Sequence, residues 1–347
     1  MSSRKNVYIV FTEYQFLQAV NIAMSIYNSS EYLNNIYIVR NGNRLQGINK
    51  HVFSKLTNIK IHIFDSEKPR KIATTILNEN PHHFFFFQAI SGLNTYLAHT
   101  FSKRSVEISL GPDGNQMYVN FNKRHHFLSI IKDSFRENIK MIKTKIFNGK
   151  IHKFDFYTYG NNSFIDNIWI THPSIYEHKG KNIVKILTIP NFNQPCVEFI
   201  KDCFNFNIDF PSQDVIYFFN QPLWGNLANK ELEFLQDVRT TFPKSKIILK
   251  LHPLTDKKNL LNYKQLDGLE IFNSSVPAEV ILLSLKNCIV FSGWSSVLTT
   301  ENKSCNYYYN YPIFKKMNDS ILNQIEIVPL NHIKMVVSPE EMHFPNG

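Results

Sequence analysis

Strand-like and helix-like segments alternate along almost the whole chain, and this alternation constrains the fold more than any other feature. Val7–Phe11 is a short apolar and aromatic run, and Tyr14–Tyr27 follows it with apolar residues at helical spacing. Further elements are predicted in the same half of the chain: strands at Ile36–Val39, Ile59–Phe64 and Val106–Leu110, and a helix at Thr74–Leu77. Strands that alternate with helices are typical of a parallel sheet covered on both faces.

The alternation begins again in the second half of the chain. Its predicted elements are strands at Val215–Phe219, Lys246–Leu251, Leu269–Phe272 and Cys288–Phe291, and helices at Asn229–Phe242 and Ala278–Leu285. Pro190–Pro211, between the two series, is rich in Pro, Asn and Phe without periodicity, and we predict a linker there. A length of 347 residues suits two domains. We therefore predict an α/β protein with two Rossmann-like domains, residues 1–190 and 191–347, a cleft between them, and a chain end that packs back on the first domain.

The charge balance is basic, with 38 Lys and Arg against 28 Asp and Glu and a net charge of +10. This charge suits an anionic partner, which could be a nucleotide-sugar, an acidic glycan, a lipid surface or a nucleic acid. A basic nucleic-acid-binding protein is therefore one alternative. It is disfavoured because the aromatic residues do not interleave with basic ones and no helix-turn-helix or zinc-ligand spacing is present.

The cysteines and the amino terminus indicate an intracellular protein. Cys196, Cys203, Cys288 and Cys305 show no CxxC spacing, so we predict reduced, buried thiols. No long apolar stretch follows Met1–Lys5, so no signal peptide is expected. No apolar run approaches the roughly 20 residues of a membrane-spanning helix. We expect a cytoplasmic location.

Three local patterns follow predicted strands, where α/β sheets bind ligands. Asp113 stands in Leu110–Gly114, and this Gly-Pro-Asp-Gly sequence fits both a plain turn and a catalytic base. His252, in Lys250-Leu251-His252-Pro253, could donate a proton to a phosphate leaving group that Lys250 also stabilises. Ser295 and Ser296 stand where the next helix would begin, so they fit both helix capping and phosphate binding.

In their order and spacing, these patterns resemble the bacterial sialyltransferases of the lipooligosaccharide and polysialic-acid types. Those enzymes have a D/E-D/E-G motif in the first half, then an HP motif, then a Ser pair. Three softer similarities agree: Thr12-Glu13-Tyr14-Gln15 with a T-P-x-Q element, Phe219-Asn220-Gln221-Pro222 with a Q-P element, and Val276-Pro277-Ala278-Glu279 with a P-x-E element. The chain departs from the family at Pro112, where the first acidic residue would stand, and at Glu13, where T-P-x-Q has proline.

The resemblance implies a GT-B fold, with an acceptor-side first domain and a second domain that binds a CMP-activated nonulosonic acid. It implies an inverting, metal-independent transfer, without a cofactor, to a hydroxyl of a surface glycan. The residue roles it implies are these: Asp113 as base and His252 at the leaving phosphate; Lys250, Pro253, Glu279, Ser295, Ser296 and Gln221 at the donor; and Thr12, Gln15 and Gly114 on the acceptor side. The lack of a D-x-D sequence after an apolar run also disfavours a metal-bridged diphosphate donor. Kdo transferases and CDP-alcohol glycerophosphotransferases remain alternatives.

One segment suggests a membrane contact. Lys123–Lys153 holds nine Lys and Arg against two acidic residues. Apolar residues recur there at helical spacing: Phe127, Ile130, Ile131, Phe135, Ile139, Ile142 and Ile146. An ordinary surface helix would turn this stripe towards the domain core, and that is what we expect. The alternative is a helix whose basic side lies on anionic lipid, near a lipid-linked acceptor.

Overall fold

The computed structural model describes residues 3–40, 45, 47–88, 91–114, 116–121, 127–155, 158–208, 214–272, 274, 276–317, 319 and 322–345. The side chains of Phe127, Asn120, Phe121 and Gln324 are outside this description, as are Lys123 and Pro211, where the basic segment begins and the expected linker ends. The chain forms two compact units. One comprises residues 1–117 and 122–205, and the other residues 118–121 and 206–347.

The first unit is built on a seven-stranded parallel sheet. Its strands are β1 (Arg4–Val10), β2 (Tyr32–Arg40), β3 (Ile59–Asp65), β4 (His83–Phe86), β5 (Glu107–Leu110), β7 (Asn167–Ile170) and β8 (Lys185–Thr188). Their order in the sheet is β3-β2-β1-β4-β5-β7-β8. The helices of this unit are α1 (Glu13–Ser25), α2 (Pro69–Leu77), α3 (Gly92–Ser102), α4 (Phe127–Lys143) and α5 (Gln194–Cys203).

The second unit has a six-stranded parallel sheet. Its strands are β9 (Val215–Phe219), β10 (Lys246–Lys250), β11 (Leu269–Phe272), β12 (Ile289–Ser292), β13 (Asn306–Tyr309) and β15 (Ile333–Met335), and β14 (Ile325–Ile327) pairs separately and antiparallel with β6 (Val119–Phe121). The helices are α6 (Asn226–Thr241), α7 (Lys257–Lys264), α8 (Ala278–Ser284) and α9 (Tyr311–Lys315). The sheet order β11-β10-β9-β12-β13-β15 is the 3-2-1-4-5-6 order of the Rossmann fold.

Apolar and aromatic side chains fill the core of each unit. In the first, Tyr8 on β1 stacks on Phe85 on β4, with ring centroids 4.4 Å apart. In the second, Phe218 on β9 stacks on Phe291 on β12 at 4.7 Å. All four cysteines are free and buried, as predicted. The predicted fold class is therefore confirmed: the protein is α/β with two Rossmann-like domains.

The boundary between the units differs from the expected division at residue 190. The expected linker contains α5, which belongs to the first unit because its carboxyl end packs there. Phe204 contacts the edge of Phe16 on α1 at 6.2 Å, and the carbonyl of Cys203 accepts a hydrogen bond from the Asn49 N–H at 2.7 Å. The first unit therefore extends to Asn205.

The chain end, which was expected to pack back on the first domain, makes contacts within the second unit. The ring of Phe344 meets the edge of Phe242, at the end of α6, at 5.9 Å, and Met342 is buried. The carbonyl of His343 accepts a hydrogen bond from the Tyr308 hydroxyl on β13 at 3.1 Å. These contacts complete the apolar layer beside α6 and β13.

The basic segment forms α4, but only part of its apolar stripe faces the core as expected: Ile130 and Ile139 are half-buried and Ile146 is buried. Met141 is fully buried, whereas Leu128, Ile131, Phe135 and Ile142 are exposed to solvent. The reason is that polar residues, chiefly Asn138, occupy much of the buried face. None of the helices among the described residues is long and apolar enough to cross a bilayer.

Candidate functional site

In the first unit, the turn after β1 fixes Gln15. Thr12 caps α1, and its hydroxyl oxygen accepts a hydrogen bond from the Gln15 N–H at 3.3 Å. The Gln15 side chain is buried, and its Oε1 accepts from the Phe11 N–H at 2.8 Å. Thr12 therefore acts here as a helix cap, and Gln15 as a rigid amide at the carboxyl end of the sheet.

Gln15 holds the predicted base, because its Nε2 donates a hydrogen bond to Asp113 Oδ1 at 2.8 Å. Asp113 is half-buried and lies three residues beyond the end of β5. Gly114 has φ of +73°, in the left-handed region that favours glycine, so the Pro-Asp-Gly turn is real. The two interpretations, a plain turn and a catalytic base, are therefore compatible, because the turn places the Asp113 carboxylate next to Gln15.

Close packing determines the path of the chain into this turn. A Cβ atom on Gly111 would overlap the ring of Phe87, and the Tyr159 hydroxyl donates a hydrogen bond to the Gly111 carbonyl. Pro112, which follows, is buried. The first acidic position of the related motif is thus occupied by an apolar residue packed beneath the turn.

In the second unit, three predicted segments follow neighbouring strands. Gln221 comes after β9, His252 after β10 and Ser295 after β12, and these three strands are adjacent in the sheet. Because the strands are parallel, their carboxyl ends lie at one edge, and β9 and β12 are where the strand order reverses. The three segments therefore lie at the edge where Rossmann domains bind ligands.

The main chain of the β10–α7 turn fixes His252. Its Nδ1 accepts a hydrogen bond from the Leu254 N–H at 3.1 Å, and its own N–H donates to Asn220 Oδ1 at 3.3 Å. A ring nitrogen that accepts from an N–H carries no proton, so the neutral imidazole has its proton on Nε2. His252 is therefore set to donate a hydrogen bond from Nε2. Pro253 is exposed and ends the extended segment.

Asn220 is the centre of a buried network that the sequence did not reveal. Its Oδ1 also accepts from the Thr255 hydroxyl at 2.6 Å, and its Nδ2 donates to Glu231 Oε1 at 2.9 Å and to the Tyr263 hydroxyl oxygen at 2.8 Å. The Tyr263 hydroxyl in turn donates a hydrogen bond to Glu231 Oε1. The only sequence signal was that Asn220 precedes the Gln-Pro element.

Glu231, on α6, is completely buried in this network. Burial raises the pKa of Glu231 from 4.5 to about 8, and the hydrogen bonds from Tyr263 and Asn220 partly oppose this rise. Its second oxygen has no hydrogen-bond partner among the described residues. In the sequence Glu231 looks like an ordinary solvent-facing acid of a surface helix.

Lys250 and Glu279 are close enough for their charges to interact. The Lys250 ammonium donates a hydrogen bond to the Ser274 carbonyl, beyond the end of β11. Burial lowers the pKa of Lys250, and the charge of Glu279, in the first turn of α8, partly restores it. The structure therefore brings these two predicted donor residues to each other.

Ser295 and Ser296 have different surroundings. Ser295 is buried and caps a single 3₁₀ turn, Ser296–Thr299, accepting from the Val297 N–H at 3.3 Å. Ser296 is half-buried, and neither its N–H nor its hydroxyl has a hydrogen-bond partner in the described part of the chain. One 3₁₀ turn has little dipole, so the helix-end field expected here is weak. Ser296 is the better anion ligand.

Two further side chains border this loop. Gln221 Oε1 would lie 3.8 Å from a Cβ atom on Gly293, so its amide lies alongside the loop after β12. Asn310 follows β13, and its N–H donates to the Ser292 carbonyl at 3.1 Å. Its side chain is fully buried, and both amide atoms lack a partner among the described residues. Sequence reasoning missed Asn310.

A cavity of about 780 Å³ lies elsewhere, at the opposite edge of the first sheet. Glu107, Asn167 and Lys185, the first residues of β5, β7 and β8, line it. It contains none of the predicted residues. The described residues also include no cluster of three His, Cys, Asp or Glu side chains arranged to hold a metal ion.

Comparison with known proteins supports the fold but does not identify a family, a donor or an acceptor. No protein-family model matches the chain, and no curated protein sequence matches it. Among solved structures, a sialyltransferase from Photobacterium damsela is similar with a TM-score of 0.52 and 12% identity, over 89% of this chain and 74% of that one. A UDP-GlcNAc 2-epimerase from Neisseria meningitidis, bound to UDP-GlcNAc, has a TM-score of 0.50 and 8% identity, over 84% of this chain and 78% of that one. The chain therefore has the two-domain GT-B fold.

Proposed function

We propose that this protein is a glycosyltransferase that moves a nonulosonic acid, sialic acid or a relative, from a CMP-activated donor to a hydroxyl of a surface glycan. The observation that carries the proposal is the carboxyl edge of the second sheet. There the His252, Gln221 and Ser295–Ser296 segments follow three adjacent strands. A fold shared by transferases and epimerases does not choose between them, so the proposal rests on these residues.

The side chains at this edge suit a single phosphate. The Nε2–H of His252 and the hydroxyl and N–H of Ser296 are hydrogen-bond donors, and none of the three adds a negative charge. Asn310 adjoins the same loop through the bond of its main-chain N–H to Ser292, and its buried side-chain amide has no partner among the described residues. A CMP phosphate needs less charge neutralisation than the diphosphate of a UDP-sugar, so neutral donors suffice.

Asp113 would act as the base. In the proposed step the acceptor hydroxyl gives its proton to the Asp113 carboxylate, and its oxygen forms a bond to the anomeric carbon of the donor. The bond from that carbon to the phosphate oxygen breaks, and CMP departs with the electron pair. His252 would donate a hydrogen bond to the departing phosphate, which stabilises charge that grows in the transition state.

The proposed setting is the cytoplasm, at the inner face of the membrane, where the acceptor glycan is lipid-linked. No metal ion takes part in the proposed step, because both the proton and the departing charge have assigned side chains. Transfer should therefore persist in EDTA.

A donor panel tests this function. Purified protein would be incubated with CMP-sialic acid, CMP-Kdo, CDP-glycerol or UDP-GlcNAc and simple galactoside acceptors, with products read by mass spectrometry. We expect a glycosylated galactoside and free CMP from the nonulosonate donor. His252→Ala and Ser296→Ala should each weaken CMP binding, and His252→Ala should also lower kcat.

The exposed residues His51 and Ser30, each changed to Ala, are the controls, because neither lies at the candidate edge. Epimerised UDP-GlcNAc, or transfer only from CMP-Kdo or CDP-glycerol, would overturn the donor assignment. Loss of transfer in EDTA with recovery in Mg²⁺ would contradict the metal-independent step.

A further inference from the structure

Helix α4 is attached to the first unit through a narrow, largely polar face. Met141 is fully buried, and its Cγ would lie 2.9 Å from a Cβ atom on Gly92 of α3. Asn138 is buried beside it and exchanges two hydrogen bonds with the main chain of His152, at 2.7 and 2.9 Å. The contacts of Met141 and Asn138 therefore dock the helix without its solvent-exposed apolar residues.

Four other apolar residues of α4 face solvent, whereas Ile130 and Ile139 are half-buried. The exposed fraction is 77% for Leu128, 50% for Ile131, 69% for Phe135 and 55% for Ile142. At about 100° per residue these four side chains fall within an arc of roughly 60° on the helix. A soluble protein rarely leaves a continuous apolar stripe of this kind uncovered, so the stripe indicates a binding surface.

A basic stripe runs directly beside the apolar one. It consists of Lys132, Arg136, Lys140 and Lys143. The acids of the helix are engaged with it, since Asp133 lies 3.2 Å from Arg136, and Glu137 lies 3.6 Å from Arg136 and 3.8 Å from Lys140. The helix therefore carries a net positive charge next to its exposed apolar residues.

We propose that these eight residues, the α4 patch, bind the headgroup region of an anionic lipid bilayer. The apolar stripe would enter the boundary between headgroups and acyl chains, and the basic stripe would meet the lipid phosphates. Helices that bind at this boundary are amphipathic. They have aromatic and aliphatic residues on one side and Lys and Arg beside them. A second copy of the chain fits less well, because pairing two patches brings two basic stripes together.

Membrane binding through α4 is independent of the proposed reaction, and it can be measured without any sugar. The full-length protein would be mixed with phosphatidylcholine vesicles, with or without phosphatidylglycerol, and bound protein measured by flotation at low and high salt. We expect binding only to the anionic vesicles, and less of it at high salt. Lys132, Lys140 and Lys143 changed together to Gln should weaken binding about a hundredfold at low salt, because each basic residue contributes about fivefold.

A second variant tests the apolar stripe. Leu128→Gln with Phe135→Gln should weaken vesicle binding at least about tenfold, because apolar burial at the boundary is lost. An environment-sensitive fluorophore on Phe135→Cys should shift to the blue when anionic vesicles are added. The labelling is selective, because all four native cysteines are buried.

The control variants change similar exposed residues elsewhere. Lys257, Lys258 and Lys264 on α7 changed to Gln match the lysine variant, and Ile183→Gln with Leu261→Gln matches the apolar one. Both should bind like the parent protein. Failure of the parent to bind anionic vesicles at low salt would overturn the proposal. So would equal losses in the controls, or a concentration-dependent dimer that only the Leu128 and Phe135 changes abolish.

Discussion

At the scale of single residues, two side-chain amides hold the two candidate catalytic residues. Gln15 donates to the Asp113 carboxylate, and Asn220 accepts from the N–H of His252. Both amides are buried, so their positions are fixed by bonds to the main chain or to other buried groups. The amides lie in two of the three softer motifs, which suggests that these elements position the chemistry rather than perform it.

Asp113→Asn tests the base directly. Asparagine keeps an oxygen that can accept from Gln15, so the turn should survive, but it cannot take the acceptor proton. We expect transfer to fall about 10²- to 10⁴-fold, as loss of a general base typically does, with CMP affinity unchanged. Single-turnover kinetics and calorimetric CMP titration would measure the two effects. The exposed Asp267→Asn is the control, and near-normal transfer by Asp113→Asn would place the base elsewhere.

Asn310→Leu tests the unpaired amide beside the Ser292–Ser296 loop. If that amide contacts the donor, CMP affinity should fall about five- to tenfold. The ligand-free protein should keep or gain thermal stability, because an unpaired buried amide costs about 1–3 kcal/mol. Calorimetry and thermal melting would measure these together. An unchanged CMP affinity would mean that the amide has no part in donor binding.

At the scale of elements, α6 and the β10–α7 turn are joined through Glu231, Asn220 and Tyr263. The sequence predicted α6 and β10 themselves, because both have clear apolar periodicity. It could not predict the link, which depends on which side of α6 faces β9. The sequence also failed to predict β4. Phe84, Phe85 and Phe86 are all buried, on both faces of the sheet, so the strand shows no alternation of apolar and polar residues.

The raised pKa of Glu231 makes this link sensitive to pH. With a pKa of about 8 in the folded state and 4.5 when unfolded, Glu231 binds a proton only in the folded state between those values. Stability should therefore fall as pH rises from about 4.5 to 8, by at most about 1.4 kcal/mol per pH unit. Glu231→Gln keeps the acceptor for Asn220 and removes the titration, so its stability should depend less on pH.

Urea unfolding at several pH values would measure this difference. The exposed Glu233→Gln on the same helix is the control, and it should follow the parent protein. Parallel pH profiles for the parent and Glu231→Gln would show that Glu231 is ionised in the folded protein throughout the range.

At the scale of the whole molecule, the sequence predicted two Rossmann-like domains because alternating elements and strand-end motifs leave local traces. It misplaced the boundary because α5 packs on Phe16 and Asn49, residues far away in the chain, and such packing leaves no local trace. It also misjudged part of the α4 stripe, because Ile131, Phe135 and Ile142 face solvent rather than the core. Periodicity shows that one side of a helix is apolar, but not whether protein or solvent covers it.

The net charge of +10 leaves nucleic-acid binding as the alternative for the whole molecule, and salt dependence separates it from donor binding. A single-stranded oligonucleotide releases counterions with each phosphate that is neutralised, with a slope of about −0.7 per phosphate. Six contacts would thus weaken binding about ten-thousandfold between about 50 mM and about 500 mM NaCl. CMP has one phosphate, and hydrogen bonds from neutral groups should hold it, so its affinity should change less than about tenfold over the same range. Calorimetric titrations of both ligands should show CMP bound at high salt after the oligonucleotide is lost. An oligonucleotide that binds more tightly than CMP near physiological salt, and that CMP fails to displace, would favour the nucleic-acid function instead.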